Sequence, residues 1–368
     1  MKLKYLFVLS CLIIVFSNSC EKQKKNAFGS YYHIFVLTQT DNIERIKPFF
    51  DTYAQITRIT PQKEKIFHYH YIDSLRFRKS LDRRHIVIAS SLDARGFAGD
   101  VTRQMLSEDA QKMIKERGVA FFVKEDLWAK NQTVAFFVGS DFEMLTAAVE
   151  LYGGQFSYII DEKITVQLKD AVLSDRFRWE ERQVEKQIEA EYGFHIGVPH
   201  GYEWEKGKAE DNFIWLRHLA PEQWIFVYKS EIPEKSIIDS SSSAIDSFSI
   251  IKSIVYSKNN TDYFSFDNFR NLRDSLCAIY YESDEIDSIV SVERDLEIGG
   301  LPAWRIRGLW KNTKSIVGGP YVSYVAYDFD NNTRYLIDAA TFAPGTTKEK
   351  YLRQVHSALL SFNPKPEK

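Results

Sequence analysis

Short apolar runs alternate with amphipathic stretches along the first half of the chain. Four runs have the length and the β-branched and aromatic content of buried strands, and they span residues 31–37, 66–71, 85–89 and 133–138. Helical spacing of apolar residues is found at 42–53, 74–82, 106–117 and 142–152, and Gly153-Gly154 is expected to end the last of these helices. This alternation of strands and helices predicts an α/β domain over residues 29–168.

Residues 169–192 have a different pattern. Acidic and basic side chains recur three and four positions apart, an arrangement that stabilises a solvent-facing helix. Phe177, Val184 and Ile188 give this helix one thin apolar stripe. The pattern predicts a connector helix between two domains, and a helix that binds a partner is the alternative.

Strand-like runs dominate residues 193–363. Residues 213–218 and 223–229 have the pattern of an antiparallel pair, and the later runs are 303–310, 322–328 and 335–342. The chain closes with an amphipathic helix over 348–362, in which Leu352, Val355, Leu359 and Phe362 share one face. The pattern predicts a second domain in which this helix packs on an antiparallel sheet.

The N-terminal segment has the pattern of a secretory signal. Lys2 and Lys4 precede an apolar run of about a dozen residues, which is too short to span a bilayer, and small residues lead to Cys20. A cysteine at that place resembles a bacterial lipoprotein signal, which implies a signal peptide over 1–19 and acylation, for example with palmitate, of Cys20. An ordinary signal with an incidental cysteine is the alternative, because Ser17 stands where such signals prefer leucine. The polar residues after Cys20 predict a lipidated tether over 20–28.

Composition limits the class of protein. Hydrophobic residues make up 44% and charged residues 27% of the chain, which are values of globular domains. The formal net charge of −2 gives no indication of a nucleic-acid partner. Cys277 is the only cysteine outside the first 20 residues, so an internal disulfide is not expected, and its apolar surroundings predict a buried structural thiol.

Candidate catalytic and metal chemistry is sparse. His68 and His70 would share one face of a strand, but a metal site needs further ligands, for which Glu64 and His85 are the nearest candidates. They are therefore weak metal candidates. The sequence contains no common nucleophile, zinc, dinucleotide or phosphate-loop motif, so no catalytic residue and no cofactor are predicted.

Several short sequence motifs resemble those of an uncharacterised family. They are Asp126–Gln132, Phe213–Arg217, Arg307–Trp310, Gly318–Ser323 and Phe342–Pro344, the last followed by Lys348 and Arg353. Together they resemble the domain-of-unknown-function family 4837 of Bacteroidetes lipoproteins over most of the chain after the signal. The resemblance implies an envelope lipoprotein and no established activity.

A second resemblance concerns the shape of the C-terminal half. The phrase Gly193–Pro199 and the final helix ending at Phe362 are similar to PsbP/Mog1-like domains, which implies an α/β/α sandwich. The predicted fold is therefore α/β (α+β), with an N-terminal α/β domain and a C-terminal antiparallel-sheet α/β/α sandwich joined by a charged helix.

One candidate binding surface lies in this C-terminal half. Indole and guanidinium groups often anchor recognition surfaces, which makes Arg307, Trp310, Gly318, Gly319 and Tyr321 the candidates. Core packing is the competing interpretation, because Trp304 and Trp310 would share one strand face.

The resulting functional hypothesis is a lipid-anchored protein of the cell envelope that binds an envelope protein or a small ligand without catalysis. An envelope enzyme, such as a hydrolase without a standard motif, is the alternative. The sequence does not determine which membrane or which face carries the protein.

Overall fold

A computed structural model describes residues 24–54, 60–62, 64–205, 211–232, 265–280 and 284–366. The predicted signal peptide and Cys20 lie outside these residues. The chain forms two compact units, the first comprising residues up to Ala54 and Phe67–Ile160, and the second comprising Gln55–Ile66 and Asp161–Lys368. In the described part of the chain, no helix is long and apolar enough to cross a membrane.

The first unit contains a five-stranded mixed sheet. Its strands are β1 His33–Leu37, β2 His68–Ile72, β3 His85–Ser91, β4 Val119–Glu125 and β5 Thr133–Gly139. Their order is β2-β1-β3-β5-β4, in which only β4 is antiparallel to its neighbour. All residues of β3 and β5 are buried, as expected for the central parallel strands of an α/β sheet. The predicted α/β domain class is confirmed.

Five helices begin in the described part of the first unit, and side chains cap three of them. They are α1 Ile43–Tyr53, α2 Ser74–Lys79, α3 Phe97–Met105, α4 Glu108–Arg117 and α5 Phe142–Val172. The Asp73 and Ser107 side chains accept hydrogen bonds from the first turns of α2 and α4, at 2.8 and 3.2 Å. Asp141 accepts from the Met144 amide at 3.0 Å at the start of α5.

The expectation that Gly153-Gly154 ends a helix is wrong, because α5 continues to Val172. A Cβ on Gly153 would lie 2.2 Å from Cδ2 of Tyr53, so this glycine makes room for the tyrosine ring rather than for a turn. The boundary between the two units falls inside α5, between Ile160 and Asp161.

The charged stretch 169–192 also differs from the prediction of one solvent-facing helix. Its first residues complete α5, a 3₁₀ turn follows at Asp175–Phe177, and α6 then runs from Trp179 to Tyr192. Gly193 ends α6 in the left-handed conformation, as its position predicts. One face of α6 is buried and includes Glu181 and Glu185 as well as Ile188. The role of this stretch as a connector stays a prediction.

The second unit contains a seven-stranded antiparallel sheet with helices on both faces. The strands are β6 Glu203–Glu205, β7 Phe213–Leu219, β8 Glu222–Glu231, β9 Asp284–Ile298, β10 Leu301–Asn312, β11 Gly318–Asp328 and β12 Thr333–Phe342, in the order β6-β7-β8-β12-β11-β10-β9. The helices are α7 Phe266–Tyr280 and α8 Glu349–Leu359. Residues of α6 and α8 pack on one face, and residues of α7 pack on the other. The predicted α/β/α sandwich is therefore confirmed.

Candidate functional site

The five residues of the candidate binding surface do not form one surface. Trp310 and Tyr321 are 3% and 0% exposed and belong to the core beneath α7. Arg307 projects from the opposite face of β10, because side chains alternate along a strand, and it lies near α8 instead. The structure thus supports core packing for the tryptophan and tyrosine.

The glycines of this region are explained by close packing. A Cβ on Gly319 would lie 2.0 Å from the carbonyl oxygen of Thr341 on the neighbouring strand. A Cβ on Gly308 would lie 2.1 Å from the Ser288 carbonyl oxygen and 2.9 Å from the Tyr321 ring. Gly318 is the first residue of β11, and a Cβ there would lie 2.6 Å from the carbonyl oxygen of Trp310. These positions require glycine for the sheet, and no ligand is needed to account for them.

His68 and His70 share one face of β2, as predicted, and His33 on β1 joins them. The ring centroid of His33 lies 5.3 Å from that of His68 and 4.7 Å from that of His70. Partial burial, and then the neighbouring imidazoles, lower the pKa of His70. Within the described ranges, no group of three histidine, cysteine or acidic residues has the geometry of a metal site.

The other residues considered for chemistry are engaged elsewhere. Glu64 accepts hydrogen bonds at 2.9–3.0 Å from the Lys348 and Glu349 amides, at the beginning of α8. His85 is fully buried in β3. Cys277 is a free, buried cysteine, and burial raises its pKa to about 12, so the prediction of a structural thiol is confirmed.

A buried network of ion pairs lies between the sheet and α8 in the second unit. Arg305 donates to Glu162 at 2.8–2.9 Å, Arg307 donates to Glu293 at 2.7 Å, and Arg353 donates to the Asp161 carbonyl at 3.0 Å. The cavity inside the network measures about 10 Å³, which suffices for a single water molecule. This network is a structural feature of the sheet–helix interface and has no room for a substrate.

A larger depression in the second unit, here called the cleft, has the size of a small-ligand site. Its volume is about 300 Å³, and its lining residues are Val172, Pro199, His200, Tyr202, His218, Pro221, Gln223, Tyr351 and Gln354. Aromatic and polar groups therefore meet in one concave site, as is common for small-molecule pockets.

The glutamates of α6 hold the segment that forms one wall of the cleft. Glu181 accepts from the Gly201 amide at 2.7 Å and lies 3.0 Å from Nδ1 of His200. Four residues further along α6, Glu185 accepts from the Val198 amide at 2.8 Å. Burial alone would raise the pKa of Glu181, but these interactions outweigh it and bring the pKa below the ordinary value. The carboxylates thus fix the backbone before Tyr202.

The cleft also presents an oriented imidazole, that of His218. Nδ1 of His218 lies 3.0 Å from the Pro221 carbonyl oxygen, and the ring packs beside Tyr202 with centroids 5.4 Å apart. A carbonyl oxygen can only accept, so Nδ1 carries the proton and Nε2 is the acceptor of the neutral ring. Gln223 donates to the Tyr351 carbonyl at 3.0 Å and connects β8 to α8. The cleft can therefore accept a hydrogen bond from a ligand that also stacks on aromatic rings.

The contacts of these histidines do not resemble a nucleophile–base pair. His218 interacts with a backbone carbonyl, whereas His200 and His195 interact with Glu181 and with Glu189, the latter at 2.6 Å. None of these three partners is a hydroxyl or a thiol, the groups that a neighbouring histidine activates as nucleophiles. Sequence reasoning missed the cleft, because its lining residues come from four separate segments between 172 and 354.

The fold and the cleft define a two-unit α/β protein whose second unit is an α/β/α sandwich with a ligand-sized concave site. Residues 181–361, which comprise most of this unit, match the family described as Domain of unknown function (DUF4837), so the predicted resemblance to this family is confirmed over that range, and the lipoprotein character that it implied stays a prediction. The Asp126–Gln132 phrase lies outside the matched residues.

Two further comparisons are less informative. The comparison with curated proteins gives no match. Among solved structures, the chain is similar to the Saccharomyces cerevisiae Ran-binding protein Mog1p, with 10% identity and a TM-score of 0.25, over 46% of this chain and 86% of that chain.

Proposed function

We propose that the chain is a lipid-anchored protein of the cell envelope that binds a small ligand in the cleft without catalysis. The observation that carries this proposal is the cleft itself, about 300 Å³ in volume, with an oriented His218 and aromatic side chains in its walls. The proposed anchor is the acyl group on Cys20, which would insert into a membrane of the cell envelope.

The binding part can be tested by native mass spectrometry of protein purified from envelopes. Gln354→Trp places an indole in the cleft at an exposed position of α8, and Ile279→Trp, at a position 70% exposed on α7, is the matched control. We expect a copurifying small molecule in the wild type and in the control, and its loss in Gln354→Trp. The proposal fails if no variant carries a ligand or if both variants carry it equally.

The anchoring part needs a separate test. Metabolic labelling with palmitate is expected to mark the wild-type protein and to leave Cys20→Ala unlabelled. Unlabelled wild-type protein would refute the anchor, and it would leave the cleft experiment unaffected.

An envelope hydrolase is the second candidate, and the pairing of His200 with Glu181 is the observation that favours it. Catalysis by this pair predicts that envelope material is cleaved by the wild type and not by His200→Gln. Binding without catalysis predicts that no cleavage product depends on His200.

A further inference from the structure

A second concave site, here called the basic groove, lies in the first unit beside the edge strand β2. Its volume is about 510 Å³, and its lining residues include Phe35, His70, Arg76, Lys79, Ser80 and Arg83. Neither the cleft nor the family accounts for it, because the groove lies outside residues 181–361.

The charge of the basic groove is uncompensated. Arg76 and Lys79 are exposed and lie one helical turn apart on α2, and Arg83 follows this helix. The nearby Asp73 side chain caps α2, and in the described chain no carboxylate oxygen lies within 4.0 Å of these three cationic groups. His70 adds no charge near neutral pH, because burial and its histidine neighbours lower its pKa. Three basic groups thus face the groove without a counterion.

Arg83 is held in place for an anion. Its guanidinium carbon lies 4.3 Å from the ring centroid of Phe28 and 5.3 Å from that of Phe35. Its Nε is buried and has no hydrogen-bond acceptor among the described residues. A buried donor without an acceptor is rare in proteins, and an anionic oxygen would satisfy it. Aromatic packing therefore fixes the guanidinium, and the missing acceptor points to a ligand.

The basic groove also lies close to the proposed lipid anchor along the chain. Residues 24–28 are docked on the first unit: Lys24 donates to the Asp126 carbonyl at 2.7 Å, and the Phe28 amide donates to the Asp82 carbonyl at 3.0 Å. Phe28, which packs on Arg83, lies eight positions after Cys20, and a segment of that length spans at most about 28 Å. An acylated Cys20 would keep Arg83 within that reach of the membrane surface.

We propose that the basic groove binds the phosphate of an anionic phospholipid headgroup and holds the first unit against the membrane. This inference rests on the lipid anchoring proposed above. The chemistry is recognition of a phosphate oxygen by Arg76, Lys79 and Arg83, and the same chemistry is available to a soluble phosphate. A basic residue near an anionic bilayer strengthens binding about fivefold, so losing two should weaken it about 25-fold.

The test uses the processed chain from residue 20 onward with Cys20→Ala, so that binding is measured without acyl chains. Sedimentation with phosphatidylcholine vesicles, with and without phosphatidylglycerol, gives the partition coefficient. Arg76→Gln/Lys79→Gln removes two charges from the basic groove, and Lys112→Gln/Lys115→Gln removes the same charge from the exposed face of α4.

We expect binding to phosphatidylglycerol vesicles by the wild type, a loss of about 25-fold in the groove variant and a much smaller loss in the α4 variant. Equal losses in both variants, or no binding by the wild type, would overturn the proposal. Saturable binding of inorganic phosphate in the absence of vesicle binding would identify a soluble anion and would also overturn it. Labelling of Cys20 is scored separately, so failure of the anchor and failure of the groove are distinguishable.

Discussion

The buried ion pair between Arg273 on α7 and Asp338 on β12 offers the sharpest test of the second unit. Nε of Arg273 lies 2.7 Å from one carboxylate oxygen of Asp338, and Nη2 lies 3.2 Å from the other. The two side chains are 1% and 0% exposed. Ser323 donates to the same carboxylate, and the Arg273 guanidinium stacks on Tyr321 at 4.2 Å. Both charges are therefore fully desolvated.

Removing one partner leaves the other charge buried without compensation. For a desolvated pair of this kind, Asp338→Asn or Arg273→Met is each expected to lower the free energy of unfolding by about 3–5 kcal/mol. The double variant removes both charges and leaves a methionine packed in the apolar core around Cys277. The double variant should lose about 3 kcal/mol less unfolding free energy than the two single variants together, because most of each single loss comes from the buried charge left without its partner.

Urea unfolding, followed by tryptophan fluorescence, measures these free energies without screening the charges by salt. Trp224 and Trp310 report on the same core, with ring centroids 5.1 Å apart. Lys311→Gln is the control, because Lys311 and Glu285 form an exposed pair at 3.3 Å, and its effect should lie within experimental error. The reasoning would be refuted if the losses of unfolding free energy in the single variants added up in the double variant, or if each were as small as the loss in the control.

Three other predictions follow from individual side chains. Gly154→Ala should stabilise the first unit by about 0.5–1 kcal/mol, since Gly154 is an exposed position inside α5. Gly153→Ala should destabilise the same unit by about 1–3 kcal/mol, because the new Cβ would clash with Tyr53. Thermal unfolding compares the two variants. Burial, and then the nearby arginines, lower the pKa of His356 well below its ordinary value, so the unfolded chain binds its proton first as the pH falls below about 6.5. Stability should then fall with pH by up to about 1.4 kcal/mol per unit, and urea unfolding of His356→Gln should lack this contribution. Cys277 should react with a thiol reagent only after unfolding, and fast labelling of the native protein would contradict its burial.

Local pattern was sufficient for elements whose apolar positions match a uniform environment. The central strands β3 and β5 are short, apolar and fully buried, and their sequence predicts them. The amphipathic α8 was predicted for the same reason: its apolar stripe faces the sheet.

Features that depend on distant contacts could not be predicted in this way. Gly153 lies inside α5 rather than at its end, and the Tyr53 ring from α1 occupies the space that a side chain at this position would need. Only the tertiary structure reveals this contact. Arg307 and Trp310 form a plausible recognition motif in sequence, but strand alternation sends them to opposite faces of the sheet. The cleft escaped prediction since no local signal joins Pro199, His218 and Tyr351.

The glutamates of α6 allow a structural role of Glu181 at the cleft to be distinguished from a catalytic one. Glu181, Glu185 and Glu189 recur every fourth position, so they lie on one helical face, and each holds a different part of the 195–201 segment. A catalytic dyad would give the Glu181 carboxylate a role that its two neighbours do not share, whereas a structural clamp gives all three the same one. Glu181→Gln separates the two interpretations, because an amide oxygen still accepts from the Gly201 amide but carries no charge to support an imidazolium. A clamp predicts that this variant retains the ligand and loses little stability, while catalysis by the pair predicts that turnover is lost in a protein that still binds.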